Sequence, residues 1–89
     1  MKMEREFVVA NQSGLHCRAA VMLADAVRGY DARMVVRSGA AIANADSILD
    51  LMALGCSQGT RVRIQVEGPQ AAEAMAAAAR VFADKFGEG

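Results

Sequence analysis

The chain is poor in the residues that most site chemistry uses. It has one His, one Pro, one Tyr, no Trp and two Cys in 89 residues. Ten basic side chains balance ten acidic ones. Zero net charge removes the general electrostatic case for nucleic acid, which calls for a basic field. With three Phe and one Tyr there is little on which bases could stack. Cys17 and Cys56 are too few for a disulfide scaffold and are expected to be thiols in a reducing compartment. No apolar run approaches the ~18 residues needed to cross a bilayer. The opening Met1-Lys2-Met3-Glu4-Arg5-Glu6 is charged from the start and has no apolar h-region, so no signal peptide and a cytoplasmic location are expected. Chemistry that needs imidazole must use His16.

What is present suits one small domain over residues 1–89. The chain is 54% apolar, much of it Ala, so the core should be tightly drawn rather than bulky. Arg5 to Ala10 places Phe7 and Val9 on one side, as a strand does, and Asn11-Gln12-Ser13-Gly14 is a turn signal. From His16 to Arg28 the set Ala20, Leu23, Ala24, Val27 follows i, i+3, i+4, i+7, an amphipathic helix stopped by Gly29. Ala32–Arg37 and, more weakly, Ala40–Ala43 read as strands about a Ser38-Gly39 turn. Asp46–Gly55 reads as a short helix in which Ser47 and Asp50 form a variant capping box and Gly55 the C′ residue. Arg61–Val66 alternates polar and apolar cleanly. After Gly68-Pro69 an Ala-rich helix, Ala71 to Ala83, carries a stripe of Met75, Ala78, Ala79 and Phe82, extended to Phe86.

The order is β-α-β-β-α-β-α. Strands with one apolar face belong in an antiparallel sheet covered on one side. The expected fold is α+β, an open-faced two-layer sandwich of four antiparallel strands under three helices.

Gly14-Leu15-His16-Cys17-Arg18-Ala19-Ala20 carries the chemistry. His16 stands where a turn hands over to a helix, whose first N–H groups lack intrahelical partners and face outward at the positive end of the dipole. That is an anion site. Arg18 adds a cation whose fork suits phosphate oxygens. An imidazole near neutral pH is largely unprotonated and nucleophilic. The plain alternative is that His16 is only an N-terminal helix residue. A metal site from His16, Cys17 and Cys56 is disfavoured, because adjacent residues rarely ligate one ion well and no zinc spacing is matched. No metal and no cofactor are expected. Arg37, Arg61 and Arg63 read as a solvated stripe on the outer sheet face. In the short helix, Leu51 and Leu54 share a face and should be core. Leu49 and Met52 lie on another face and read as an exposed partner surface.

The run G-L-H-C-R-A-A resembles the active-site signature of HPr, the histidine-containing phosphocarrier family of the bacterial phosphotransferase system, usually G-L-H-x-R-P-A. A second block, Ser47 to Gly55 followed by Gln58-Gly59-Thr60, resembles the family's regulatory-serine helix and the turn after it, and the spacing fits without gaps. The resemblance implies that His16 takes phosphate on Nδ1 from phosphorylated enzyme I with Arg18 beside it, and passes it to an enzyme IIA domain in sugar uptake. It implies that Ser47 matches the serine modified in some bacteria by a dedicated HPr kinase/phosphorylase, and that Ile48, Leu49 and Met52 match the apolar patch that docks partners. It implies a relay protein rather than a free-standing enzyme, a monomer, and no nucleic-acid or membrane partner. A regulatory relative that controls nitrogen or carbon metabolism through its phosphorylation state is the second reading.

Three departures from the pattern stand out. Ala19 replaces the family's Pro, which suits an early helical position; Ala fits too and restores a donor. Cys17 replaces a small or hydroxylated residue. Asp46 and Asp50 flank Ser47 where relatives often carry Lys or small residues, so the docking face is more acidic than usual. Ser47 itself has two readings: an N-cap worth ~1 kcal/mol, or a regulatory site at a helix N-terminus, where phosphate is favourable but two Asp oppose it.

Overall fold

A computed structural model describes residues 1–88. The elements run β1 (Lys2–Val8), α1 (Cys17–Arg28), β2 (Arg33–Ser38), β3 (Ala41–Asn44), α2 (Ile48–Ala53), β4 (Arg61–Glu67) and α3 (Ala71–Ala83), followed by a 3-10 turn over Lys85–Gly87. All strand pairs are antiparallel, in the order β1-β4-β2-β3. The three helices lie on one face of this sheet, as the pattern of apolar residues requires.

The register explains which face is which. In β4, Val62, Ile64 and Val66 are buried while Arg61, Arg63 and Glu67 are exposed. Met34 and Val36 of β2 and Ala43 of β3 lie on the same inner side. On the outer face the cross-strand pairs are charged: Arg63 lies 3.8 Å from both Glu4 and Glu6, and Arg61 lies 3.5 Å from Glu6. Arg37, opposite Arg63, donates instead to Gln65. The arginine stripe is thus a solvated lattice of weak pairs.

Helices α1 and α3 pack against each other through small residues. Ala19, Ala20 and Ala24 on one, and Ala71, Ala74 and Ala78 on the other, are fully buried. Around them Leu23, Leu51, Ile64 and Met75 supply the bulk of the core. Phe7 stacks on Phe82 at 4.7 Å, and Phe82 meets Phe86 edge-on at 4.9 Å.

Several boundaries differ from the sequence reading. β1 starts at Lys2 rather than Arg5, because β4 offers partners as far as Glu67. It ends at Val8, after which Val9 still donates to Thr60 O. The β2–β3 hairpin is shifted one residue toward its C-terminal side. His16 is the N-cap of α1 rather than its first turn, with extended backbone at φ −79° and ψ −176°. Phe86 is core as expected, but not from the stripe of α3: the helix stops at Ala83, and Lys85 and Phe86 turn back at φ 50° and 53°.

Candidate functional site

The site begins with the turn over residues 11–14. Asn11 donates its side-chain amide to Gly14 O at 2.7 Å, and Gly14 N donates to Asn11 O. Gly14 has φ +69°, and a Cβ there would collide with the carbonyl of Cys56. The next residue, Leu15, donates its N–H to that same carbonyl at 2.9 Å. Glycine at 14 therefore serves both its conformation and a close backbone approach. The segment after α2 is thereby tied directly to the residue preceding His16.

His16 caps α1 with its backbone only; its ring makes no capping bond. The first intrahelical bond runs from Ala20 N to His16 O at 2.8 Å. The N–H groups of Cys17, Arg18 and Ala19 precede it and lack intrahelical partners, the arrangement that suits an anion at a helix N-terminus. Ala19 is fully buried and supports the first turn in the place of the family's Pro. Arg18 and Cys17 are exposed, and Arg18 makes no ion pair among the described residues. Cys56, in contrast, is buried and lies on the core side of the turn.

The imidazole is 37% exposed and has an oxygen acceptor at each end. Nδ1 lies 3.1 Å from Gly14 O, and Nε2 lies 3.6 Å from Glu88 Oε2. A neutral ring has one N–H and can satisfy only one of these acceptors. With Nδ1 against a carbonyl, the ring must turn before that nitrogen can meet a phosphoryl group.

Glu88 is the residue that the sequence reading missed. Its Oε1 accepts the Ser13 N–H and its Oε2 accepts the Asn11 side-chain amide, both at 3.1 Å. These bonds hold its carboxyl below the ordinary value of 4.5, Asn11 contributing most and Ser13 next. Burial works against them, and the charge of His16 contributes least. Two acceptors, Gly14 O and Glu88, surround the Asn11 nitrogen and fix which way its amide points. Its buried Oδ1 then has no hydrogen-bond partner.

Helix α2 borders the site. Ser47 is its N-cap, with Oγ accepting from Asp50 N at 3.2 Å. Asp50 reaches back to Asn44 N at 3.4 Å, a long contact. Leu51 is fully buried, Leu54 and Ile48 half-buried, while Leu49 is 78% and Met52 40% exposed. Leu51 is core and Leu49 and Met52 are exposed, as expected, but Leu54, expected in the core, is only half-buried because it is the C-cap at the end of the short helix. Asp46 and Asp50 are exposed, and residues 38–60 contain no Lys or Arg.

Comparison with known proteins accords with this geometry. Residues 3–84 match the family model described as PTS HPr component phosphorylation site. The chain is 33% identical to the phosphocarrier protein HPr of Xylella fastidiosa over 86 residues, 97% of each chain. It is 32% identical to the phosphocarrier protein NPr of Klebsiella oxytoca over 89 residues, 99% of each. The solved structure of HPr-C-His from Thermoanaerobacter tengcongensis superposes with a TM-score of 0.93 at 32% identity, covering 98% of each chain. The chain belongs to the HPr phosphocarrier family of the phosphotransferase system. Glu88 lies beyond the span that the family model matches. Among the described residues no helix is long and apolar enough to cross a membrane.

Proposed function

We propose that this protein carries a phosphoryl group on His16, taking it from phosphorylated enzyme I and giving it to an enzyme IIA domain in sugar uptake. The observation that carries this reading is the placement of the sole His at the N-cap of α1, where the first helical N–H groups lack intrahelical partners and the exposed Arg18 follows two residues on. For the transfer the ring's single proton sits on Nε2, the nitrogen that faces Glu88, so that the Nδ1 lone pair, once turned from Gly14 O, attacks phosphorus. The bond from phosphorus to the donor breaks, and its electron pair leaves on the donor. Charge on the phosphoryl oxygens is met by the helix N-terminus and Arg18, which need little rearrangement. The outgoing transfer is the reverse of this toward a second acceptor. Ile48, Leu49 and Met52 form the apolar contact with both partners in turn.

Incubation with phosphoenolpyruvate, Mg²⁺ and enzyme I tests the reading. An acid-labile, alkali-stable phosphoryl adduct is expected on wild type and none on His16→Ala. Intact mass showing equal phosphate on both proteins would sink it.

A second reading, a regulatory relative acting through phosphorylation-dependent protein contacts, is favoured by two observations. NPr relatives match the chain as fully as HPr relatives do. The α2 border, acidic and without a basic residue between 38 and 60, suits a distinct set of partners. Transfer to a sugar-specific enzyme IIA against transfer to a nitrogen-type acceptor separates the two. Ser47 is a further proposed point of control through an HPr kinase, resting on its match to the family's serine and its place at a helix N-terminus.

A further inference from the structure

The two ring nitrogens of His16 face different acceptors, and the one proton of a neutral ring cannot serve both. Nδ1 lies 3.1 Å from Gly14 O, and Nε2 lies 3.6 Å from Glu88 Oε2. Only the tautomer protonated on Nε2 has a lone pair on Nδ1, the nitrogen that attacks phosphorus. Distance alone favours the unreactive tautomer, with Nδ1–H donating to Gly14 O.

Charge and occupancy favour the reactive one. Gly14 O is neutral and already accepts the Asn11 amide at 2.7 Å. Glu88 is a carboxylate at neutral pH, because Asn11 first and Ser13 next hold its carboxyl below the ordinary value. A proton on Nδ1 would turn the Nε2 lone pair toward that anion. A proton on Nε2 turns an N–H dipole toward it instead. A gap of 3.6 Å is long for a hydrogen bond, but the pull of a full charge on an N–H dipole does not require one. The same tautomer sets the Nδ1 lone pair against the Gly14 carbonyl oxygen. Acceptor facing acceptor is unfavourable, and the ring relieves it by turning Nδ1 away.

The carboxylate does not depend on His16 for its place. Its Oε1 accepts from Ser13 N–H and its Oε2 from Asn11 Nδ2, both at 3.1 Å. Asn11 is buried, and its amide is fixed in direction by Gly14 O. Two residues before Glu88, Phe86 is buried against Phe82 and anchors the segment. Glu88 is therefore a charge fixed from outside the ring, on the side away from Nδ1.

We propose that Glu88 is a positioning residue for phosphoryl transfer: its carboxylate holds the His16 proton on Nε2 and so leaves Nδ1 free as the nucleophile. The proposal rests on His16 being the phosphoryl acceptor and names the side chain that selects its reactive tautomer. The proton stays on Nε2 while the bond from Nδ1 to phosphorus forms. The bond from phosphorus to the donor breaks, and its electron pair leaves on the donor. The helix N-terminus and Arg18 act on the phosphoryl oxygens, whereas Glu88 touches neither donor nor phosphoryl group and acts through the ring.

Imidazole ¹⁵N NMR on the unphosphorylated protein reads the tautomer, since a protonated ring nitrogen resonates far upfield of an unprotonated one. Wild type, Glu88→Gln and Glu88→Ala are compared roughly two pH units above the ordinary imidazole value, where the ring is neutral. The ratio of Nε2–H to Nδ1–H should fall about 1.5- to 5-fold in both variants, the scale of one exposed charge interaction. Phosphoramidate, a small-molecule phosphoryl donor, then gives the rate of phosphohistidine formation by ³¹P NMR without any partner protein. High salt in both measurements screens repulsion between Glu88 and the anionic donor. The rate should fall by the same factor as the Nε2–H fraction. The Leu15 amide, bonded to Cys56 O, should keep its shift and so report an intact turn. A tautomer ratio equal in all three proteins would overturn the positioning role and leave the acceptor role of His16 standing. A rate that does not follow the Nε2–H fraction would do the same. Absence of phosphohistidine on wild type would remove both.

Discussion

Glu88 Oε2 stands 3.6 Å from His16 Nε2, across 72 residues of sequence, and is held there by Asn11 and Ser13 rather than by His16 itself. The strength of that attachment depends on pH. Glu88 has its carboxyl lowered below 4.5 in the folded protein. A group depressed on folding stabilises the folded state above its unfolded value, and the contribution is lost as pH falls through the folded value. The attachment should thus be complete at neutral pH and release below the ordinary carboxyl range. The Ser13 amide shift should titrate together with the Glu88 carboxyl carbon, and Glu88→Gln should abolish that titration. A Ser13 shift that stays constant from pH 7 to the acid limit of folding would contradict the argument.

Gly14→Ala should be severe for a change of one methyl group. A left-handed φ costs a non-glycine residue about 1–3 kcal/mol, and displacing the Cys56 carbonyl adds an overpacking cost of about 1–3 kcal/mol. A loss of about 2–6 kcal/mol in denaturant unfolding is expected, with phosphorylation of His16 impaired even where the protein remains folded. Wild-type stability in this variant would mean that the 55–57 backbone moves aside freely.

Arg18→Ala should slow transfer while leaving the fold intact, since the side chain is exposed and makes no ion pair among the described residues. One charge-assisted contact made only in the transition state is worth roughly 1.5–3 kcal/mol, or about a 10- to 150-fold rate effect. Rapid-quench kinetics in both directions would measure it. Unchanged rates would mean that the N–H groups of Cys17, Arg18 and Ala19 suffice.

Ser47 separates its two roles by substitution. Ser47→Ala loses the bond from Asp50 N and should cost ~1 kcal/mol, while Ser47→Asp, itself a good cap, should be close to neutral in stability. If Ser47 is also a control point, Ser47→Asp should weaken phosphorylation of His16 by enzyme I beyond what Ser47→Ala does. Equal transfer rates in the two variants would leave the cap as its whole role.

The α2 border predicts how docking responds to charge. Like charges across an interface oppose association. The test uses an enzyme I whose docking surface is acidic. Replacing Asp46 and Asp50 together by Lys should therefore raise the association rate with such an enzyme I, most at low salt. Leu49→Asp should weaken docking at any salt, because Leu49 is the most exposed apolar side chain of the helix. No gain in the double Lys variant at low ionic strength would leave the apolar patch alone to account for docking.

The sequence by itself determined the order of elements, the inner and outer faces of the sheet, and the place of His16 at the start of a helix. These are local properties. Alternation in Arg61–Val66, the three-and-four spacing of Ala20 to Val27, and the Ser47–Asp50 cap act within a few residues, so a short stretch of chain contains the whole cause. Even the division of α2 into a buried Leu51 and an exposed Leu49 and Met52 follows from helical period alone. Tertiary structure decided the rest. That Gly14 must be glycine depends on the Cys56 carbonyl arriving from 42 residues away. That Phe86 is core depends on a reversal after α3 that no periodicity records. That Glu88 lies beside His16 depends on contacts spanning 77 and 75 residues to Asn11 and Ser13. A glutamate near a Gly carries no local mark of such a position, because the donors it binds come together only when the sheet and helices have packed.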